Sequence, residues 1–213
     1  MKFNDLLHIV GDLPLFESSL LLAGDIRPAE LARQLSRWQR TGCIIQLRRG
    51  LYTLTPPLRK IVPHPFLIAN HMAPGSYVSC QSALSHYGII PEYTPVTVSV
   101  GPARPLNRQT PLGAFSFHHI KPVYRFGYKK IRLLPGQEAF AATAEKALLD
   151  LIHLTPGGDT ESYIRELRLN LDGTIDPVLL SQYAERMRAP KLIRAAAIIG
   201  AMVQQEKGAF REL

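Results

Sequence analysis

The sequence lacks the features that define several large classes of protein. Its 213 residues include only two cysteines, Cys43 and Cys80, which are too few for a disulfide framework. The longest apolar runs, at 20–23 and 195–199, are far too short to span a bilayer. Acidic residues interrupt the first 17 positions, where a secretory signal would be continuously apolar. We therefore expect a cytoplasmic protein with reduced thiols that does not contact a membrane.

Motifs for catalysis or cofactor binding are also missing. No glycine-rich phosphate loop occurs, and no pair of histidines or cysteines has zinc-finger spacing. His118 and His119 are neighbours on a predicted strand, so they point to opposite faces and do not chelate one ion. Glu145 and Lys146 diverge by about 100° on a predicted helix. Cys80 is expected to be a small buried residue. The sequence thus predicts no metal site, no cofactor and no enzyme.

Acidic residues are absent from 93–137, and this absence shapes the charge distribution. The net charge of +8 comes from two blocks, each with a net charge of +7, at 27–60 and 93–137. The remaining segments are acidic overall or carry a single acid. Concentrated positive charge indicates a polyanionic partner, and double-stranded DNA is the leading candidate.

Proline divides the chain into two parts. Four of the eleven residues at 55–65 are prolines, which continue neither a helix nor a central strand. We place a linker at 56–65, with an N-terminal domain at 1–55 and a C-terminal domain at 66–213.

The N-terminal domain is predicted to be a winged helix-turn-helix. Its patterning indicates helices at 3–10, 15–22 and 25–42 and strands at 43–47 and 51–54. Three helices followed by a hairpin are the element order of that fold, whose last helix enters the major groove of DNA.

The third predicted helix separates apolar from basic residues. Leu31, Leu35 and Trp38 share one face. At 100° per residue, the opposite face carries Ala29, Arg33, Ser36, Arg37 and Arg40. Arginine on such a face can form two hydrogen bonds with guanine, so we expect Arg33, Arg37 and Arg40 to contact bases, with help from Ser36. Arg27, near the helix start, is a candidate phosphate ligand.

The hairpin turn "RRG" is the second cationic element. Gly50 allows a tight turn, and Arg48 and Arg49 are expected to hold the DNA backbone beside the third helix.

The C-terminal domain is predicted to be a mixed α/β unit whose sheet lies between helices, which makes the whole chain α+β. Predicted strands are "SYVS", "VTVSV", "FSFHHI" and "YKKIRLL". Predicted helices are "PFLIANHM", "CQSALSHYG", "ATAEKALLDLIHL", 160–169, 177–187 and 191–205, with Ser79 as an N-cap.

The motifs "IIQLRRGLYTL", "YVSCQSALSHYGI", "FSFHHI" and "ATAEKALLDLI", in this order, resemble the AbiEi antitoxins of type IV toxin–antitoxin systems. The resemblance implies an autorepressor that binds inverted repeats at its own promoter and counters a nucleotidyltransferase-like toxin. By position, the wing signature would be Arg48, Arg49, Gly50 and Tyr52. The antitoxin-domain motifs would include Ser79, Ser82, Ala83, Leu84, Glu145, Lys146 and Asp150.

Two other functions remain open. The chain could be a winged-helix regulator of other genes whose second domain senses a ligand or oligomerises. It could also be a nucleic-acid-processing enzyme that uses its second domain. Part of the second basic block is expected to face the same DNA as the winged helix or an acidic surface of the toxin; the members of the block are Arg104, Arg108, Lys121, Arg125, Lys129, Lys130 and Arg132.

Overall fold

A small antiparallel sheet organises the N-terminal part of the chain. The structure is a computed structural model that describes residues 1–22, 26–171 and 174–209. In order, the N-terminal elements are α1 (Phe3–Val10), β1 (Phe16–Glu17), a 3-10 turn (Ser18–Leu22), α2 (Pro28–Arg40), β2 (Ile44–Arg48) and β3 (Leu51–Leu54). The strands lie in the order β1-β3-β2. The first and third predicted helices and the hairpin are thereby confirmed.

The predicted helix at 15–22 is wrong. The chain instead forms β1 and the 3-10 turn, because Phe16 pairs with Tyr52 in the sheet and stacks on its ring at 5.7 Å. This long-range pairing outweighs the local helical pattern. The third helix begins at Pro28, and residue 25 of its predicted span lies outside the described residues. It ends before Gly42, whose positive φ of 72° allows the chain to reverse into β2.

The apolar face of α2 builds the N-terminal core. Leu31, Leu35 and Trp38 are buried, as their spacing predicts. They belong to a cluster that also contains Leu6, Val10, Phe16, Leu21, Ile44, Tyr52 and Leu54.

A six-stranded mixed sheet organises the rest of the chain. Its elements are α3 (Pro65–Met72), β4 (Tyr77–Val78), α4 (Cys80–His86), β5 (Val96–Gly101), β6 (Leu106–Thr110), β7 (Gly113–His119), β8 (Tyr128–Leu134), β9 (Gln137–Ala142), α5 (Ala144–Leu154), α6 (Glu161–Glu166), α7 (Pro177–Met187) and α8 (Pro190–Ala209). The strand order is β6-β7-β5-β4-β9-β8. The pairs β5–β7 and β4–β9 are parallel, and the other pairs are antiparallel. The chain is therefore α+β, as predicted.

The sequence misses two of these strands. Every β6 residue except Thr110 is exposed, so the strand has no alternating apolar face. Strand β9, "QEAFAA", contains three alanines, which favour strands weakly. Helix α5 also differs from the one-sided helix expected, because every residue from Glu145 to Ile152 is buried.

Both faces of the large sheet are covered. One face packs with α4, α5, α7 and α8 in a core that includes Tyr77, Val100, Leu148, Leu180 and Leu192. The other face packs with α3 and with the β2–β3 hairpin, whose Leu47 and Leu51 join a cluster with Phe66, Val78 and Phe117. All four residues of β3 are buried, because Leu51 joins this cluster while Tyr52 and Leu54 join the N-terminal core. The hairpin is therefore shared by the two parts of the chain and lies between them.

Hydrogen bonds fix the proline-rich segment between the two parts. Gln137 donates to the carbonyl of Val62 at 2.9 Å and accepts from the amide of His64 at 2.7 Å. Lys60 forms an ion pair with Asp12 at 2.8 Å. Within the described part of the chain, no helix has the length and apolarity needed to cross a membrane.

Candidate nucleic-acid interface

Helix α2 presents a basic outer face. Arg33, Arg37 and Arg40 are exposed, opposite the buried Leu31, Leu35 and Trp38. The other residues that the sequence assigns to this surface, Arg27, Ala29 and Ser36, are exposed too. The face therefore has the residues that helical periodicity predicts.

These arginines are available for an external partner. Within the described residues, the side chains of Arg37 and Arg40 form no hydrogen bond or ion pair, and Arg33 reaches only the carbonyl of Ala29 in its own helix, at 3.4 Å. The single acid of α2, Glu30, accepts from Gln34 one turn away. An anion that approaches this face thus meets cations that the fold does not neutralise.

The two arginines of the hairpin turn have different environments. Arg48 is about a quarter exposed, and its three guanidinium nitrogens donate to Glu17 at 3.0 Å and to the carbonyls of His71 and Arg49, each at 2.9 Å. Arg49 is exposed, and its side chain forms no ion pair with described residues. Of the two arginines expected to hold the DNA backbone, Arg48 is engaged by contacts within the fold, whereas Arg49 forms no ion pair with described residues.

A groove of about 400 Å³ joins α2 to the hairpin. Ser36 and Gln39 line it from α2, while Arg49 and Gly50 line it from the turn. The helix and the turn therefore contribute to one continuous surface. Sequence reasoning missed Gln39, although the 100° rule places it beside Ser36 on the helix.

The second basic block does not form one surface. Arg104 and Arg108 lie near Arg48 around a groove of about 230 Å³, and Arg108 donates to the carbonyl of Leu47 in the hairpin at 3.1 Å. Lys129, Lys130 and Arg132 lie on β8, which is the opposite edge of the six-stranded sheet from β6. The block is thus divided between the hairpin side and the far edge.

Three of the residues assigned to the antitoxin-domain motifs meet in the core. Asp150 forms an ion pair with Lys146 one turn away on α5, and neither side chain is exposed. The other carboxylate oxygen accepts from Ser79 at 2.7 Å and from Tyr77 at 3.2 Å. The Lys146 ammonium also lies over the rings of Tyr77 and Phe126, at 5.7 and 5.5 Å from their centroids. This cluster joins β4 to α5 through the interior.

Of the other motif residues, Ala83 and Leu84 are buried in the core, and Ser82 and Glu145 make hydrogen bonds elsewhere. Ser82 accepts from the amide of Val98 at 2.9 Å and donates to the carbonyl of Val96 at 3.0 Å, which ties α4 to β5. Glu145 accepts from the amide of Asp176 at 3.1 Å, ahead of α7. Ser79 occupies the N-cap position of α4 without capping it, because its hydroxyl donates to Asp150.

Burial disfavours the ionised forms of two groups beside the Lys146–Asp150 pair, the Cys80 thiol and the Tyr77 phenol. Burial raises the pKa of the Cys80 thiol, and the nearby Asp150 carboxylate raises it further. Burial and the Asp150 carboxylate also raise the pKa of Tyr77. Cys80 is therefore held as a neutral thiol at neutral pH despite its place at the start of α4. Among the described residues, no group of three histidine, cysteine or acidic side chains could hold a metal ion.

Comparison with known proteins adds no relative. No protein-family model matches the chain, and no curated protein matches it either.

Proposed function

We propose that the protein binds double-stranded DNA, with α2 in the major groove and Arg49 on the backbone beside it. The observation that carries this proposal is the set of exposed arginines on α2 that form no ion pair with any described residue, next to the turn that presents Arg49. Forked guanidinium groups on a groove-sized helix suit guanine edges, and a cation beside the helix suits phosphate.

A winged-helix arrangement of the N-terminal part is supported by its element order. A helix, a short strand, a 3-10 turn, a long helix and a hairpin follow each other, and β1 pairs with β3. In this interpretation α2 is the recognition helix and the β2–β3 turn is the wing. The 3-10 turn takes the place of the second helix.

Arg48 has a different role in this proposal from the one that the sequence predicts. Because its guanidinium holds Glu17 and the carbonyl of His71, we assign it to positioning the wing. Arg104 and Arg108, on the same side as the hairpin, extend the basic surface toward flanking phosphates. We retain Arg27 as a phosphate ligand and Ser36 as a helper of the base-reading arginines.

The biological function proposed is that of a cytoplasmic autorepressor and antitoxin of the AbiEi type. Its operator would be an inverted repeat at its own promoter, and its partner a nucleotidyltransferase-like toxin. This proposal depends on the motif resemblance. The basic residues on β8 lie at the edge of the six-stranded sheet opposite β6, and they are the candidates for contact with an acidic surface of the toxin.

The salt dependence of DNA affinity tests the interface. Each lost phosphate contact lowers the slope of log affinity against log salt by about 0.9. We expect Arg49→Gln to reduce the slope of the full-length protein by about this amount and Arg48→Gln to leave it nearly unchanged. Arg165→Gln, on α6, is the control for loss of one positive charge. Equal slopes for Arg49→Gln and the wild-type protein would contradict the wing assignment.

A further inference from the structure

A cleft of about 510 Å³ lies between β1 and α3 on one side and the edge strand β8 with its neighbour β9 on the other. It is distinct from the groove beside α2. Its lining includes two aromatic side chains, Tyr128 and Phe140, and the charged side chains of Glu17, Arg125 and Lys130. The volume is in the range of pockets that bind small organic molecules.

Two aromatic rings form a corner in this cleft. Tyr128 and Phe140 lie on neighbouring strands, with their centroids 6.1 Å apart and their planes at 86°. Phe140 is 46% exposed, and Tyr128 is 37% exposed. A flat ring can stack on one of these side chains and meet the other edge-on, which is the geometry that aromatic groups favour.

Arg125 supplies a positive charge beside the rings. Its Nη2 donates to the carbonyl of Gly75 at 2.7 Å, and its Nε is buried without a hydrogen-bond partner among the described residues. The other charges of the lining are already paired, Lys130 with Glu138 and Glu17 with Arg48. Arg125 is therefore the lining cation that no acid of the described chain neutralises.

Neighbouring residues hold in place the groups that would contact a ligand. Tyr128 stacks on the buried Tyr77, with centroids 4.4 Å apart. Asn70 fixes the backbone of Phe140 by accepting from its amide at 2.6 Å and donating to its carbonyl at 3.3 Å. The carbonyl of Gly75 orients Arg125. A site whose side chains are fixed before binding loses little conformational entropy when a ligand arrives.

We propose that this cleft binds a small planar aromatic anion, with its ring against Tyr128 and Phe140 and its anionic group on Arg125. The anionic group is a carboxylate or a phosphate, and both pair with a guanidinium through two parallel hydrogen bonds. The proposal does not depend on DNA binding.

Calorimetric titration of the full-length protein tests it with three probes. These are 2-naphthoate, its neutral analogue 2-naphthamide, and adenosine 5′-monophosphate. We expect one of the two anions to bind with a stoichiometry of one per chain. We expect 2-naphthamide to bind at least about 10-fold more weakly than 2-naphthoate if the carboxylate is preferred, since a charged hydrogen bond contributes about 1.5–3 kcal/mol. Preference for the nucleotide would assign the anion to phosphate.

Two variants and a control locate the site. Arg125→Gln should weaken binding of the preferred anion at least about 10-fold. Phe140→Ala, at an exposed position where truncation leaves the fold intact, should weaken it as well. Lys129→Gln removes an exposed charge on β8, outside the cleft lining, and should have no effect. Absence of binding by both anions, or unchanged affinity for the preferred anion in Arg125→Gln or Phe140→Ala, would overturn the proposal. Where 2-naphthoate is the preferred anion, equal affinity for 2-naphthamide would overturn it too.

Discussion

The guanidinium of Arg48 donates to the carboxylate of Glu17 at 3.0 Å, and it thereby ties the end of β2 to β1. The same side chain reaches the carbonyl of His71 at the end of α3. Arg48 thus joins three elements, two in the N-terminal part and one in the C-terminal part. The direction in which the β2–β3 turn points depends on this contact and on the buried Leu47 and Leu51.

Substitution of Arg48 should reduce stability more than substitution of Arg49. We expect Arg48→Gln to lower the free energy of unfolding by about 1–2 kcal/mol, because it removes charged hydrogen bonds at a partly buried position. Arg49→Gln, at the adjacent exposed position, should change it little. Urea denaturation followed by circular dichroism measures both variants. Equal stability of the two variants would show that the Arg48 contacts contribute nothing to the fold.

Substitution of Arg37 should change sequence preference. An arginine that reads a base contributes about 1–3 kcal/mol of discrimination at one base pair. We therefore expect Arg37→Ala to bind operator variants with a flatter preference at a single position, as measured by competition against labelled operator. A uniform loss across all variants would instead assign Arg37 to phosphate.

The buried pair Lys146–Asp150 should be strongly coupled. Lys146→Met leaves the Asp150 carboxylate buried without its counter-charge, which costs about 3–5 kcal/mol of unfolding free energy. The double variant Lys146→Met/Asp150→Asn leaves no buried charge unpaired, so it should be more stable than Lys146→Met alone. Chemical denaturation of Lys146→Met, Asp150→Asn and the double variant gives the comparison. A double variant that loses the sum of the single losses would contradict this coupling.

Two glycines with nearly the same backbone conformation provide a steric test. Gly127 and Gly136 have positive φ angles of 67° and 72°. A Cβ at Gly127 would lie 2.8 Å from the ring of Tyr183 and 3.1 Å from Cβ of Lys146, whereas a Cβ at Gly136 would meet nothing within 4 Å. Gly136→Ala should cost about 1 kcal/mol for the backbone alone. Thermal denaturation should show a larger loss for Gly127→Ala, and equal losses would contradict the packing at Gly127.

Local patterns were sufficient to predict much of the fold and of the α2 surface. The 3.6-residue period of Leu31, Leu35 and Trp38 correctly gives the buried side of α2, and hence the exposed arginines. Helix α7 has the bounds that the sequence predicts, from Pro177 to Met187. In these segments the spacing of residues that are close in sequence is enough to predict the helix and its buried face.

Contacts between distant residues could not be predicted in this way. Arg48 is 31 positions from Glu17, and no local signal shows that the two side chains meet. The same holds for Asp150 and Ser79, which are 71 positions apart. Strand β1 replaces a predicted helix because its partner, β3, lies far along the chain. Both basic turn residues looked equivalent in the sequence, and only the three-dimensional packing distinguishes Arg48 from Arg49.

Footprinting of the full-length protein on the DNA upstream of its own gene, at two salt concentrations, tests whether α2 recognises this DNA. We expect a protected inverted repeat at the lower salt concentration. We also expect weaker protection at the higher concentration and loss of protection in the triple variant Arg33→Ala/Arg37→Ala/Arg40→Ala. An upstream region that stays fully accessible at low salt, or a triple variant that protects it as well as the wild-type protein does, would contradict the claim that α2 recognises this DNA.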